Sequence, residues 1–372
     1  MILTDPSQAD KKIKYSILNA VSKIINSKQY ILGKSVKIFE AEFSRFCGSK
    51  YAIGVNSGTD ALILSLLAID IKYGDEIIIP SHSASGTATA IAAVGAKPIF
   101  VDINPDTFLI DINHLKKKIT KKTKVIIPVH LYGQSCNIKE ILKISNKNKI
   151  KIIEDCAQAH GTKFKNTHVG NFGMTGCFSF YPTKNLGAIG DGGCIITNNK
   201  FIFQKLKILR DFGWKKRFNS SIRGLNSRLD EIQASILRIK LSRLNQYNYR
   251  RKKIALRYFK NFSNHRYVKT PTLLSYSNHT YHQFVIKVPR NSRNKLIDYC
   301  KKKKILLGIH YPIPLHNQKA FNKRKIKLKN VEKVSKEIIS LPIFPYLSER
   351  KQNKVIKEIK EFFKKNEKKN LH

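Results

Sequence analysis

Between about residues 50 and 200, short apolar runs alternate with stretches of helical pattern, and this alternation constrains the fold more than any other feature. The runs are YAIGV (51–55), EIIIP (76–80), KPIFVD (97–102), KVIIPVH (124–130) and KIIEDCA (151–157). They carry little polar interruption, so as strands they have no face to turn to water and must be covered on both sides. Helical segments lie between them, near 60–68, 87–94, 113–118 and 137–146. Strict alternation predicts an α/β lobe built on a mostly parallel sheet with flanking helices. In open sheets of this kind ligands collect at the carboxyl ends of strands. Polar clusters stand there at 56–60, 81–85 and 155–158.

From about residue 230 the pattern changes. A long amphipathic segment through Glu231, Ile236 and Leu244 runs into a basic helix near Tyr258, followed by strand-like YHQFVIKV, a helix near Asp298 and a last helix from about Ser348. With 372 residues the chain exceeds what one core organises. The expected division is a large domain over 1–240, with an N-terminal arm over 1–30, and a smaller α+β domain over 241–372.

The net charge of +45 raises nucleic-acid binding as a function. The basic residues, however, spread along the whole chain instead of forming one arm or stripe. Lysine, isoleucine and asparagine are all abundant, as in a genome rich in A and T, and that plainer reading is preferred; no nucleic-acid partner is expected. A basic protein would still draw in an anionic substrate. No run approaches a membrane span and the N-terminus lacks a secretion-signal pattern. The six cysteines include no CxxC pair and sit mostly in apolar stretches, as thiols do in a reducing compartment. A cytoplasmic protein without a membrane partner is expected.

Three segments could carry chemistry. SGTDAL (57–62) lies between a strand and a helix, where small residues let backbone N–H groups approach a phosphate; taken alone, an ordinary helix cap at Ser57 or Thr59 is the favoured reading. EDCAQAHG (154–161) ends an apolar strand in two carboxylates. Asp155 could hold a protonated pyridine nitrogen, with Gln158 near a ring substituent. The alternatives are a solvated strand end, or a metal site of Glu154, Asp155 and His160; no familiar ligand spacing completes the latter, and no metal is expected. SFYPTKNLGAIGDGG (179–193) places Lys184 in a turn surrounded by aromatic and glycine residues instead of other lysines. A lysine desolvated there has a lowered pKa and can form a Schiff base.

The order of these motifs resembles the pyridoxal-phosphate enzymes of the aspartate-aminotransferase fold, and within them the sugar aminotransferases of the DegT/DnrJ/EryC1/StrS family. The resemblance runs from about Ile31 to near Pro345 and rests on NSGTDAL, PSHSASGTATAIAAVGAKPIFVDI, PVHLYGQ, IIEDCAQAHG, SFYPTKNLGAIGDGG, GLNSRLDEIQA and GIHYPIPLHNQ. It implies a type I fold with a mostly parallel seven-stranded sheet and a smaller C-terminal α+β lobe. It implies pyridoxal 5'-phosphate as a Schiff base on Lys184, with pyridoxamine 5'-phosphate as the intermediate form. Asp155 would pair with the pyridine nitrogen, Gln158 would lie near the ring hydroxyl, and His82 would sit over the ring face. Gly58, Thr59 and Ser179 would hold the phosphate, and Asn226 would reach the phosphate of a neighbouring subunit in a homodimer with shared active sites. Tyr181, His310 and Tyr311 would face the sugar.

The function so implied is transfer of an amino group, from L-glutamate, to a nucleotide-linked keto-sugar such as a 3-keto-6-deoxyhexose, for amino-sugar or surface-polysaccharide synthesis. A related sugar dehydratase uses the amine form of the cofactor, but has histidine in place of the Schiff-base lysine. Some members were first described as regulators; the intact set Thr59, Asp155, Gln158, Ser179 and Lys184 argues against a non-catalytic role.

Overall fold

The computed structural model describes residues 1, 3–321 and 326–369. The chain opens with helices α1 (Pro6–Lys12), α2 (Lys14–Ser27) and α3 (Lys34–Cys47). It then alternates as the apolar pattern predicts: β1 (Tyr51–Val55), α4 (Gly58–Ala68), β2 (Glu76–Pro80), α5 (Ser85–Ala93), β3 (Lys97–Val101), α6 (Ile112–Lys118), β4 (Thr123–Ile126), α7 (Ile138–Asn148) and β5 (Lys151–Asp155). A small hairpin, β6 (Lys163–Phe164) and β7 (Thr167–His168), precedes β8 (Thr175–Ser179) and β9 (Gly193–Thr197). After α8 (Lys200–Leu209) comes a second hairpin, β10 (Trp214–Lys216) with β11 (Asn219–Ser220). The remainder is α9 (Glu231–Leu241), α10 (Leu244–Phe262), β12 (Ser277–Asn278), β13 (Phe284–Lys287), α11 (Arg290–Lys302), α12 (Lys329–Val334), β14 (Ile338–Leu341) and α13 (Glu349–Lys369).

Seven strands form the main sheet in the order β1-β9-β8-β5-β4-β2-β3. Only β9 runs against its neighbours; the pairs β8–β5, β5–β4, β4–β2 and β2–β3 are parallel. Strands β2 and β9 are buried at every residue, which explains their lack of polar alternation. Helix α4 is apolar on all sides because strands cover one side and α5 and α8 the other. The sheet core takes in Ile53, Leu64, Ile78, Ile126 and Ile153.

A second core gathers α10, α11, α13 and the antiparallel pair β13–β14 around Tyr258, Phe284, Leu296 and Ile359. The C-terminal part is not wholly separate from the sheet. Leu315, Leu328, Val331, Val334 and Ile338 pack into the sheet core, so these C-terminal residues belong to the larger lobe's core. Among the described residues no helix is long and apolar enough to cross a membrane.

Candidate active site

The polar clusters read from the sequence converge at the carboxyl ends of β1, β2, β5 and β8. Helix α4 begins where β1 ends. Ser57 has extended backbone and its side chain accepts the Asp60 N–H at 3.0 Å, so the capping reading of SGTDAL is correct. A side chain on Gly58 would bring its Cβ to 2.6 Å from the Ser179 Cβ, and one on Gly86 would stand 2.8 Å from the Thr59 Oγ1. Gly58 thus packs closely against Ser179, and Gly86 against Thr59, at a helix N-terminus of the kind that can receive an anion.

Asp155 closes β5 and is buried. One carboxylate oxygen accepts the Thr87 hydroxyl at 2.8 Å and the other the Ala157 N–H at 3.1 Å. Each oxygen keeps a free lone pair. Burial raises the carboxyl pKa; the Ala157 and Thr87 hydrogen bonds and the charge of Lys184 pull the other way. A ligand cation opposite Asp155 would remove that cost and hold the carboxylate ionised.

Lys184 sits in the turn after β8, its own N–H donating to the Tyr181 carbonyl at 2.8 Å. Burial lowers its pKa to about 8, against the pull of the Asp155 charge. Three imidazoles, His160, His282 and His310, share its surroundings. Burial, reinforced by the charge of Lys184, holds all three below the ordinary histidine range, His160 at about 3 and His310 at about 4. Lys184 and Asp155 are near enough for each charge to act on the other.

His82 follows β2 and is fully buried, with Nε2 2.8 Å from the Tyr132 hydroxyl and rings of Tyr132, Tyr311 and Phe108 around it. Burial takes its pKa to about 3, and its Nδ1 has no protein partner among the described residues. Gln158 accepts the Tyr132 N–H at 2.8 Å and donates to the Tyr311 hydroxyl at 2.9 Å. Tyr132 has φ of 59° and also donates its hydroxyl to the His310 carbonyl. His310 and Tyr311 thus join the site, while Tyr181 stands at its edge, 53% exposed. Asn226 is exposed, bridges Asp211 through the backbone, and makes no hydrogen bond to the cluster among the described residues.

Sequence reasoning missed Thr87, Tyr132 and His282. Thr87 and Tyr132 lie inside quoted motifs, ASGTATA and PVHLYGQ, but their partners come from other strands. The remaining carboxylate, Glu154, is not a ligand for anything outside the protein. Its oxygens accept from His130 Nε2 at 3.0 Å and from the N–H groups of Gly170, Phe172 and Gly173 at 2.7–2.8 Å. Distance alone would let His130, Glu154 and Cys156 hold a metal. Glu154, however, has no lone pair left, and His130 Nδ1 accepts the Cys136 N–H at 3.1 Å.

The residues present fit pyridoxal phosphate: a helix N-terminus for its phosphate, a buried carboxylate for its ring nitrogen, and an amine of lowered pKa near that carboxylate. Similarity to known proteins agrees. The profile of the DegT/DnrJ/EryC1/StrS aminotransferase family matches residues 11–360. A dTDP-3-amino-3,6-dideoxy-alpha-D-galactopyranose transaminase from Aneurinibacillus thermoaerophilus is 41% identical, over 96% of this chain and 98% of its own. A pleiotropic regulatory protein from Geobacillus stearothermophilus is 39% identical, over 97% and 98%. The solved structure of S. venezuelae DesV in complex with a ketimine intermediate superposes with a TM-score of 0.94 at 33% identity, covering 97% of this chain and 98% of that one. Fold, site and relatives coincide, and the chain belongs to the DegT/DnrJ/EryC1/StrS family as a pyridoxal-phosphate-dependent sugar aminotransferase.

Proposed function

We propose that the protein moves an amino group from L-glutamate to carbon 3 of a nucleotide-linked keto-6-deoxyhexose, with Lys184 as covalent anchor and proton carrier and Asp155 as partner of the pyridine nitrogen. The observation that carries this reading is the pairing of a buried Asp155 with a Lys184 whose pKa is lowered to about 8. When bound, pyridoxal phosphate supplies an electron sink and a carrier for the amino group. Lys184 holds the proton at Nζ and, being partly deprotonated near neutrality, can both take and return it. Asp155 keeps a negative charge beside the ring nitrogen, fixed by Thr87 and Ala157. Gly58, Thr59 and Ser179 bind the phosphate, His82 covers the ring, and Gln158 lies beside the ring hydroxyl. Tyr181, His310 and Tyr311 orient the sugar. Carbon 3 is extended from the name of the A. thermoaerophilus relative.

The same reading divides the chain at 240/241, the larger part holding the cofactor. It makes the protein a homodimer in which Asn226 serves the other subunit's phosphate. Exposed Tyr15, Leu18, Ile25, Tyr30, Ile189 and Phe218 support a partner surface. Six buried, unpaired cysteines support a reducing compartment, the cytoplasm.

The test is spectroscopic. The purified protein with pyridoxal phosphate should absorb visible light, and L-glutamate should bleach it. Borohydride reduction followed by peptide mass analysis should place the adduct on Lys184; an adduct elsewhere refutes the assignment. The name of the G. stearothermophilus relative favours a regulatory role as the second reading. A protein that binds the cofactor yet is bleached by no amino donor would support it.

A further inference from the structure

His316 is fully buried, and both its ring nitrogens are engaged, although no step of amino transfer calls on it. Nδ1 lies 2.6 Å from the Ser81 Oγ and Nε2 3.2 Å from Glu332 Oε1. The backbone joins in: the His316 N–H donates to Ser81 Oγ at 3.3 Å and the Leu315 N–H to the Ser81 carbonyl at 2.9 Å. One arrangement of hydrogens satisfies every partner. Ser81 Oγ accepts the His316 N–H and donates its own hydrogen to Nδ1, and the hydrogen on Nε2 goes to the Glu332 carboxylate.

Glu332 is itself moored. It accepts the Leu328 N–H at 2.8 Å and rides on α12, whose first N–H groups, from Asn330 and Val331, donate to Asp102 at 2.9 and 2.8 Å. Ser81 follows β2 and Asp102 follows β3, which are adjacent parallel strands. Leu315 and His316 on one side and α12 on the other are therefore fastened to the large sheet at two neighbouring strand ends.

A serine, histidine and glutamate in one hydrogen-bonded chain could suggest a nucleophile. Ser81 is completely buried and its hydroxyl is used in both directions, so it has no access to a substrate. The trio is a fastener. On one side it holds Ser81, the residue before His82. On the other it holds the end of the loop that began at His310 and Tyr311 and passes through Pro312 and Pro314.

We propose that His316 is a positioning residue for the sugar: with Ser81 and Glu332 it sets where His310 and Tyr311 stand relative to His82. This rests on the reading that those two residues face the sugar. It predicts a larger effect on the sugar half of the reaction than on the glutamate half, because Lys184 and Asp155 are held by other contacts while His82 and Gln158 serve both halves.

The experiment uses the pyridoxal-loaded protein and follows loss of its visible absorbance with two donors, L-glutamate and dTDP-3-amino-3,6-dideoxy-α-D-galactose. His316→Phe should raise the sugar concentration for half-maximal bleaching roughly ten- to hundredfold, and at least about fivefold more than it raises the glutamate concentration. His316→Gln, which keeps one donor and one acceptor, should recover most of the loss. Ser81→Ala, which removes a single oxygen, should shift the sugar curve in the same direction if the larger change prevents folding. A sugar curve unmoved in a folded His316→Phe or Ser81→Ala protein overturns the proposal. So does an equal loss with both donors, which a merely structural role would give. A wild type that neither donor bleaches overturns the amino-transfer reading itself and this inference with it.

Discussion

An amine can attack a carbonyl only when it is unprotonated, and Lys184 meets that condition in part near neutral pH. Its pKa of about 8 reflects burial, which disfavours the ammonium, outweighing the Asp155 charge, which favours it. Because the pKa is lowered, the reactive form gains as pH rises through about 8, not through the ordinary lysine value. At pH 7.5 the free-amine fraction is roughly a quarter, against roughly a thousandth for an unperturbed lysine. The rate at which apoprotein takes up pyridoxal phosphate should climb with pH and level off above about 8.5. A rate still rising past pH 10 would show that burial does not act on this amine. Asp155 makes a complementary prediction. Asp155→Asn keeps the shape and the contact to Thr87 but removes the charge opposite the ring nitrogen. Turnover should fall by about 10²–10³-fold, with the thermal midpoint almost unchanged, as steady-state kinetics and calorimetry would show. A fall of less than fivefold would mean that the reaction does not depend on a charge at Asp155.

Elements differ in how far the sequence discloses them, and Glu154 and Asp155 show why. Both end one apolar strand, and the strand itself is readable because β5 is buried at Ile152, Ile153, Glu154 and Asp155 alike. The alternating strands and helices from β1 to β5 follow from the same physics: two-sided burial removes polar interruption, and caps such as Ser57 and Asn137 mark where helices begin. What each carboxylate does is not readable. Glu154 meets the 170–173 loop and Asp155 meets Thr87, and both contacts depend on which strands become neighbours. His316, likewise, gets its meaning from Ser81, 235 residues away. Helix α8 and the β10–β11 hairpin also escape a sequence reading, being short and of mixed character. Glu154 now supports a prediction of its own. It satisfies three backbone N–H groups and His130 at a buried site, and Glu154→Ala would leave all four without a partner. The variant should lose about 3–5 kcal/mol of stability in denaturant unfolding. A loss under about 1 kcal/mol would mean that water replaces the carboxylate at no cost.

At the scale of the whole molecule the question is whether one chain completes the site. Lys184, Asp155, Gly58, Thr59 and Ser179 converge within the chain, whereas Asn226 is exposed and makes no hydrogen bond to them among the described residues. The loop that carries it is tied down next door, since Ser227 donates to Asp60 at 2.8 Å and accepts the Asn56 N–H at 3.2 Å. Its position is therefore set by the fold, and the proposed dimer would turn it toward the other subunit's phosphate. A two-fold dimer places the same patch on both subunits, so each would lend its Asn226 to the other. Mixing two defective variants separates the possibilities. Lys184→Ala removes the anchor from one subunit, and Asn226→Glu puts a negative charge where a phosphate should bind. If Asn226 acts across the interface, the hybrid dimer has one site with both defects and one with neither. Random reassociation of equal amounts should then recover about a quarter of wild-type activity from two almost inactive parents. If Asn226 serves its own subunit, each hybrid site carries one defect and mixing recovers nothing. The activity of the refolded mixture, set against each parent treated alike, decides between them without any need to know the natural sugar's destination.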